Sequence, residues 1–130
     1  MAGNVEQLKE GYEQFGAGDV EGALSNWSDD FEWDGGESDE LPGSGIHKGK
    51  DAAMQVLRKA VDAWDSFKVV PDEYIDGGDT VVVLAHNEVS KDGNSDELPV
   101  VHIWRFEGEQ VTRLQILTDT LKAARLLGKV

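Results

Sequence analysis

Residues 102–120 read HIWRFEGEQVTRLQILTDT, and this stretch decides the fold. It spans two runs rich in β-branched and aromatic residues, 97–107 and 110–119, with the turn signal EGE between them. Two such runs joined by a short glycine-containing turn are typical of an antiparallel hairpin. We therefore predict that the C-terminal part of the chain is folded as a sheet.

Two further β-rich runs precede this hairpin, at residues 67–75 and 80–90. The turn signals DGGD and KDGNS separate them from each other and from the next run. Four strands joined by short turns predict an antiparallel meander. Upstream, the FEWD segment of residues 31–34 alternates as a short strand, whereas residues 35–49 are so rich in glycine and polar residues that we predict a long loop.

Helical periodicity dominates the rest of the chain. Apolar residues recur at helical spacing from Val5 to Phe15 and over residues 51–64, and Asp19 is placed to cap a short helix between them. A last short helix is predicted at residues 120–127. Helices followed by antiparallel strands indicate an α+β fold, in which three N-terminal-half helices cover a curved, mostly antiparallel sheet and enclose a cone-shaped pocket.

Length and composition restrict the setting. The 130 residues predict a single domain over residues 1–130, and the absence of cysteine excludes disulfides and thiol nucleophiles. Twelve basic against 26 acidic residues, 12 − 26 = −14, disfavour nucleic acid and anionic membranes as partners. No signal peptide or membrane span is recognisable, so we expect a cytoplasmic protein.

No motif in the sequence predicts a metal or a cofactor. The three histidines, His47, His86 and His102, show no metal-ligand spacing. The glycine-rich stretch 35–45 lacks the lysine and the strand-to-helix context of a phosphate loop. We expect chemistry, if there is any, to use side chains alone.

Side-chain alternation indicates what would line a pocket. His102 and Trp104 share one face of their strand, and Gln115, Leu117 and Asp119 share one face of the next. Such faces mix polar with large apolar groups, which suits neither a solvent face nor a dry core. A pocket wall with a few convergent polar groups accommodates both kinds of residue.

Three segments resemble a known family: YEQFGAGDVEGALSNWSDDFEW, LPGSGIHKGKDAA and HIWRFEGEQVTRLQILTDT. They are similar, in this order, to the SnoaL-like branch of the nuclear transport factor 2-like superfamily, which includes polyketide cyclases and ketosteroid isomerases. The resemblance spans roughly residues 5–127. It implies the cone-shaped fold strongly and the activity weakly, because one fold hosts many functions.

The ketosteroid isomerase comparison fails residue by residue. The positions of its base, its tyrosine and its protonated aspartate match Gly35, Gly11 and His102 here. None of the three is the residue which that mechanism needs. Steroid isomerisation by that constellation is therefore not expected.

The polyketide cyclase comparison implies a catalytic pair. Asp119 resembles the aspartate base near the end of the last strand in those enzymes, and His102 would hydrogen-bond the developing enolate. The implied function is a cofactor-independent cyclase, isomerase or hydratase acting on an enolisable carbonyl compound. The remaining predicted pocket residues are Tyr12, Phe15, Trp33, His47, Trp64, Trp104, Gln115 and Leu117.

Each of these residues also has a purely structural interpretation. Asp119 is placed to cap the last helix, His102 to be a satisfied sheet histidine, and the tryptophans to be core residues. The sequence therefore leaves two alternatives to catalysis open. One is a binding module for a small hydrophobic ligand, and the other is a homodimer, formed through the exposed sheet face, with a vestigial pocket.

Overall fold

The computed structural model describes residues 3–130, which form four helices packed against a curved six-stranded sheet. The helices are α1 (Asn4–Gly16), α2 (Val20–Ala23), α3 (Lys50–Asp62) and α4 (Thr120–Leu126). The strands are β1 (Trp27–Asp34), β2 (Ile46–Lys48), β3 (Ser66–Gly77), β4 (Thr80–Lys91), β5 (Asn94–Glu107) and β6 (Gln110–Thr118). The predicted α+β architecture and order of elements are confirmed.

The sheet has the order β2-β1-β6-β5-β4-β3. All neighbours are antiparallel except β1 and β6, which run parallel and place Trp33 beside Leu114. Irregularities interrupt the register of the β1–β6, β3–β4 and β5–β6 pairs, and bulges of this kind bend a strand and increase its twist. The resulting curvature gives the sheet a concave face toward the helices.

The β4–β5 turn shows how the sequence fixes the meander. Asp92 and Gly93 both have positive φ, 52° and 84°, as a two-residue type I′ turn requires. Lys91 therefore pairs directly with Asn94, so β5 begins three residues earlier than the sequence predicted. The predicted loop 35–49 also contains a strand that the sequence did not indicate, β2, which pairs with β1.

The core lies between the concave face and the helices. Its fully buried side chains include Leu24, Phe31, Val81, Val83 and Val111. A smaller cluster of Val89, Leu98 and Ala123 forms where α4 covers the end of β5. No helix within residues 3–130 is long and apolar enough to cross a membrane.

Candidate functional site

A cavity of about 190 Å³ lies between the concave face of the sheet and the helices. Strands β5 and β6 contribute His102, Trp104, Leu114 and Ile116 to its wall, and α1 contributes Tyr12. Among the described residues, no Asp, Glu, Lys or Arg lines it. The cavity is therefore apolar, with a few neutral polar groups.

Three of these groups form a continuous hydrogen-bonded chain. The Trp104 indole Nε1–H donates to the Tyr12 hydroxyl at 3.0 Å, and that hydroxyl lies 2.6 Å from Nδ1 of His102. The Tyr12 and His102 rings are stacked, at an interplanar angle of 8°. Helix α1 and strand β5 thus place three side chains, 92 residues apart along the chain at most, in one network.

The donor and acceptor atoms of the three side chains indicate which residue donates in each hydrogen bond. Because Trp104 can only donate, the Tyr12 oxygen accepts from it. We assign the Tyr12 hydroxyl proton to the bond with His102, because the reverse arrangement would leave that buried proton without an acceptor. Nδ1 of His102 is then the acceptor, so the neutral ring carries its proton on Nε2. Within residues 3–130, Nε2 makes no hydrogen bond to protein, and the atom is accessible to a molecule the size of water. His102 therefore presents an N–H donor to the cavity.

Burial keeps the network neutral. Desolvation lowers the pKa of His102 from 6.5 to about 4, and desolvation also raises the pKa of Tyr12 far above its usual value. Near pH 7 neither residue carries a charge. A neutral imidazole of this kind can polarise a carbonyl oxygen without introducing a charge into an apolar cavity.

The loop of residues 35–45, which we call the glycine loop, covers one side of the cavity. The Trp33 Nε1–H donates to Gly43 O at 2.9 Å, and the backbone of Gly35 donates to Gly45 O at 2.9 Å. These bonds bring Leu41 and Pro42 into the lining. A Cβ atom on Gly35 would overlap Gly43 O, so this close approach requires glycine.

A family model described as a SnoaL-like domain matches residues 8–114. The chain belongs to the SnoaL-like domain family. Its fold is the nuclear transport factor 2-like fold that the sequence resemblance implied. No curated protein sequence matches the chain.

Solved structures of SnoaL-like and NTF2-like proteins superimpose over almost the whole chain. TerC, co-crystallized with polyporic acid, shares 29% identity at a TM-score of 0.88, covering 96% of this chain and 98% of TerC. An NTF2-like protein of unknown function from Burkholderia pseudomallei K96243 shares 30% identity at a TM-score of 0.87, covering 98% of both chains. A proposed SnoaL-like polyketide cyclase from Jannaschia sp. CCS1 shares the fold at 18% identity and a TM-score of 0.79, covering 98% of this chain and 92% of its own.

Six of the predicted site residues of this SnoaL-like domain line the cavity. They are Tyr12, Phe15, Trp33, Trp64, His102 and Trp104. Trp64 was predicted at the end of the helix over residues 51–64 but follows α3, which ends at Asp62. The other five lie on the predicted helix and strands, where each periodicity assigns a side chain to one face of its element. Four other predicted residues lie elsewhere.

Asp119, predicted as a catalytic base, does not line the cavity. It is the N-cap of α4, where its carboxylate accepts a hydrogen bond from the Lys122 backbone N–H at 3.0 Å. The residue is exposed. The strand ends one residue earlier, at Thr118, so Asp119 belongs to the helix rather than to the sheet.

Gln115 and Leu117 project from the opposite face of the sheet, which corrects their assignment to the pocket. Ile116 pairs with His102, so Ile116 shares the concave face and its two neighbours cannot. Gln115 accepts from Arg113 Nη1 at 3.2 Å, and Leu117 is 49% exposed. The parity of β6 was assigned correctly, but the register between β5 and β6 decides which parity faces inward.

His47 also lies outside the main cavity. It pairs with Trp33 across β1 and β2, and its Nε2 lies 3.0 Å from Ser44 O. It contributes instead to a shallow groove between the glycine loop and α3. Its prediction as a pocket residue is therefore wrong for this cavity.

One group of potential metal ligands occurs in the part of the chain that the structure describes. His86, Glu88 and Glu97 each place a ligand atom within 4.8 Å of the others, on the solvent side of the sheet. Nδ1 of His86 is already bonded to Asp72 at 2.8 Å. The group is separate from the cavity, because its side chains project from the opposite face.

Asn87 is a cavity residue that the sequence reasoning missed. It lines the wall on β4, and its Oδ1 atom is buried without a hydrogen-bond partner. The signal was available in the alternation of β4, where the inward positions 81, 83, 85 and 89 are Val, Val, Ala and Val. A single amide in that series breaks the pattern.

Proposed function

We propose that this SnoaL-like domain binds a small, largely apolar organic molecule through a carbonyl or enolate oxygen that accepts a hydrogen bond from Nε2–H of His102. The observation that carries the proposal is the chain from Trp104 through Tyr12 to His102, which leaves the Nε2–H of His102 as a donor in a largely apolar cavity. This N–H makes no hydrogen bond to the described protein, so a ligand oxygen can accept from it.

The size and the lining of the cavity support a ligand of a few rings at most. A dry apolar cavity of about 150 Å³ can hold benzene, and the cavity here is about 190 Å³. Aromatic side chains in its wall can stack on a planar molecule. The similar protein TerC has been crystallised with polyporic acid, which supports an organic ligand for this fold.

A second candidate function is catalysis of enolisation, as in a cofactor-independent cyclase, isomerase or hydratase. Burial keeps His102 neutral, and a neutral N–H donor aimed at a carbonyl stabilises the enolate that forms when a neighbouring carbon loses a proton. Asp119 is not available as the base, because it is exposed and caps α4. Hence the proton acceptor in this candidate is a water molecule or a group on the substrate.

Binding of a matched pair of probes tests the first proposal. We expect the ketone 2-tetralone to bind more tightly than the hydrocarbon tetralin by roughly fivefold, the effect of one net hydrogen bond. His102→Phe should abolish this preference, whereas Gln115→Leu, on the opposite face, should keep it. Equal affinities of the wild-type protein for both probes would contradict the proposal.

Deuterium exchange separates catalysis from binding. If the domain promotes enolisation, the α-protons of bound 2-tetralone should exchange with D₂O faster than in buffer, as followed by proton NMR. His102→Phe should remove the acceleration. Ketone-selective binding without faster exchange would favour the binding module over the enzyme.

We also propose that the outer face of the sheet forms a homodimer. This face presents a contiguous apolar patch of Val82, Leu84, Val101, Ile103 and Leu117 on three neighbouring strands. A second copy brings the same uncharged patch, whereas other partners would meet a chain of net charge −14. Light scattering should give twice the monomer mass, Leu84→Lys should reduce it to the monomer, and Leu121→Lys, an exposed leucine on α4, should not.

A further inference from the structure

Asn87 is the polar exception on the inward side of β4. It pairs with Val69 on β3 and with Leu98 on β5, so apolar residues flank it on both sides. Its Oδ1 atom is buried and has no partner, and in the described chain its amide nitrogen makes no hydrogen bond to protein either. The carboxamide thus makes no hydrogen bond to the described protein while it lines the cavity, and its oxygen is the buried atom.

An unpaired amide in this position is unfavourable for the free protein. Removing a carboxamide from water without giving it a hydrogen bond costs free energy that valine or leucine, the neighbouring residue types, would not cost. Rotation about the terminal side-chain bond can present either the oxygen or the nitrogen to the cavity. A ligand hydroxyl, which both donates and accepts, would satisfy either orientation.

The amide and the imidazole both line the cavity but lie at different positions along the sheet. His102 pairs with Val83 on β4, and Asn87 is four residues further along that strand. Four residues of a strand span about 13 Å. The apolar side chain of Val100, which pairs with Ala85, lines the wall between the two groups.

We infer that Asn87 is a second polar anchor, so that the ligand is an elongated molecule with an apolar middle, an oxygen at the His102 end and a hydroxyl at the Asn87 end. The inference rests on the proposed binding function and narrows its ligand class. Asn87 then determines specificity by discriminating molecules that carry the distal hydroxyl from those that lack it.

The test uses two probes that differ only in this hydroxyl, 4-acetylbiphenyl and 4-acetyl-4′-hydroxybiphenyl. We expect the wild-type protein to bind the hydroxylated probe about fivefold more tightly by titration calorimetry. Asn87→Leu should remove this advantage and leave the affinity for 4-acetylbiphenyl unchanged or improved. Asn87→Val serves as a second variant, since valine occupies the inward positions 81, 83 and 89 of β4.

Other outcomes separate the inference from the proposed function. His102→Phe should weaken the binding of both probes by the same factor. If this substitution changes the affinity for neither probe, the binding function itself is overturned. If His102→Phe acts as expected but the hydroxyl advantage persists in both Asn87 variants, the inference is overturned alone. In the absence of ligand, Asn87→Leu should raise the melting temperature, and a lowered melting temperature would show that the amide has a structural partner.

Discussion

Tyr12 controls the chemistry of the site at the scale of the single residue. Its hydroxyl accepts from Trp104 and donates to His102, so one oxygen satisfies two buried groups and determines which nitrogen of His102 carries the proton. Its ring also meets the edge of Tyr74, at a centroid distance of 6.2 Å. The site therefore depends on a residue that need not touch the ligand oxygen.

Replacing Tyr12 with phenylalanine should destabilise the protein by about 2 kcal/mol, because it leaves the Trp104 N–H and the His102 Nδ1 unpaired. Urea unfolding measures the loss, and ¹⁵N NMR should show that the tautomer of His102 is no longer fixed. Tyr74→Phe is the matched control, since the Tyr74 hydroxyl has no hydrogen bond in the described chain. Equal effects of both variants would contradict the hydrogen-bond network.

His102 should make stability fall in mild acid. Its pKa is about 4 when folded and near 6.5 when unfolded, so the unfolded chain takes up the proton first as the pH drops. The free energy of unfolding should decrease progressively as the pH falls from 6.5 to 4, by about 3 kcal/mol in total. Urea unfolding at several pH values should show this slope in the wild-type protein and its loss in His102→Phe.

The stability contributed by His86 should change with pH in the opposite direction to that of His102, so His86 serves as an internal comparison. The hydrogen bond to Asp72 raises the pKa of His86. The contribution of His86 to stability is therefore complete below pH 6.5 and is lost as the pH rises through the raised pKa. His86→Gln should therefore flatten the alkaline side of the stability profile and leave the acid slope intact. A changed acid slope in this variant would mean that His102 is not its source.

Helix α4 illustrates at the scale of the element how one carboxylate can suggest two roles. Asp119 follows an apolar strand, as a catalytic base would, yet it also precedes a helix, and the helix end is where its bond lies. Asp119→Ala should cost about 1 kcal/mol through loss of the cap, whereas Asp119→Asn should cost little. Neither variant should change the affinity for 2-tetralone, and a lost affinity would restore Asp119 to the site.

The glycine loop depends on a backbone approach that no larger residue permits. Gly35→Ala should push Gly43 away, break the bond from Trp33 and destabilise the protein by about 1–3 kcal/mol. Gly16→Ala is the control, because nothing lies within 4 Å of its added Cβ. Urea unfolding should show no loss for the control, and an unaffected Gly35 variant would mean that the loop moves freely.

The sequence predicted elements better than it predicted their neighbours. Periodicity was sufficient to assign the apolar face of α3 and to group the side chains of β5 and β6, but no local signal specifies the register between strands, and a shift of one residue reverses a face. The pentapeptide SDELP shows the same limit, since it lies in the glycine loop at residues 38–42 and in β5 at residues 95–99. Long-range pairing therefore decided which way Gln115 and Leu117 face.

Charge acts at the scale of the whole molecule. A net charge of −14 on a chain of this size repels itself, and the repulsion is screened as the Debye length falls from about 30 Å at 0.01 M to about 8 Å at 0.15 M salt. We expect NaCl over this range to raise the melting temperature by a few degrees. Replacing the exposed pair Asp29 and Asp30 with asparagine should reduce the increment, and an unchanged or falling melting temperature in the wild-type protein would contradict the argument.

The parallel pairing of β1 with β6 has a consequence for the order of events during synthesis. Trp33 and Leu114 are partners 81 residues apart, so β1 cannot pair with β6 until nearly the whole chain has been synthesised. The β3–β4–β5 meander needs only short loops and should form first. We expect a nascent chain that stops before residue 110 to leave the aromatic side chains of β1 exposed to proteases and chaperones. We therefore expect the cavity to be the last part of the molecule to form.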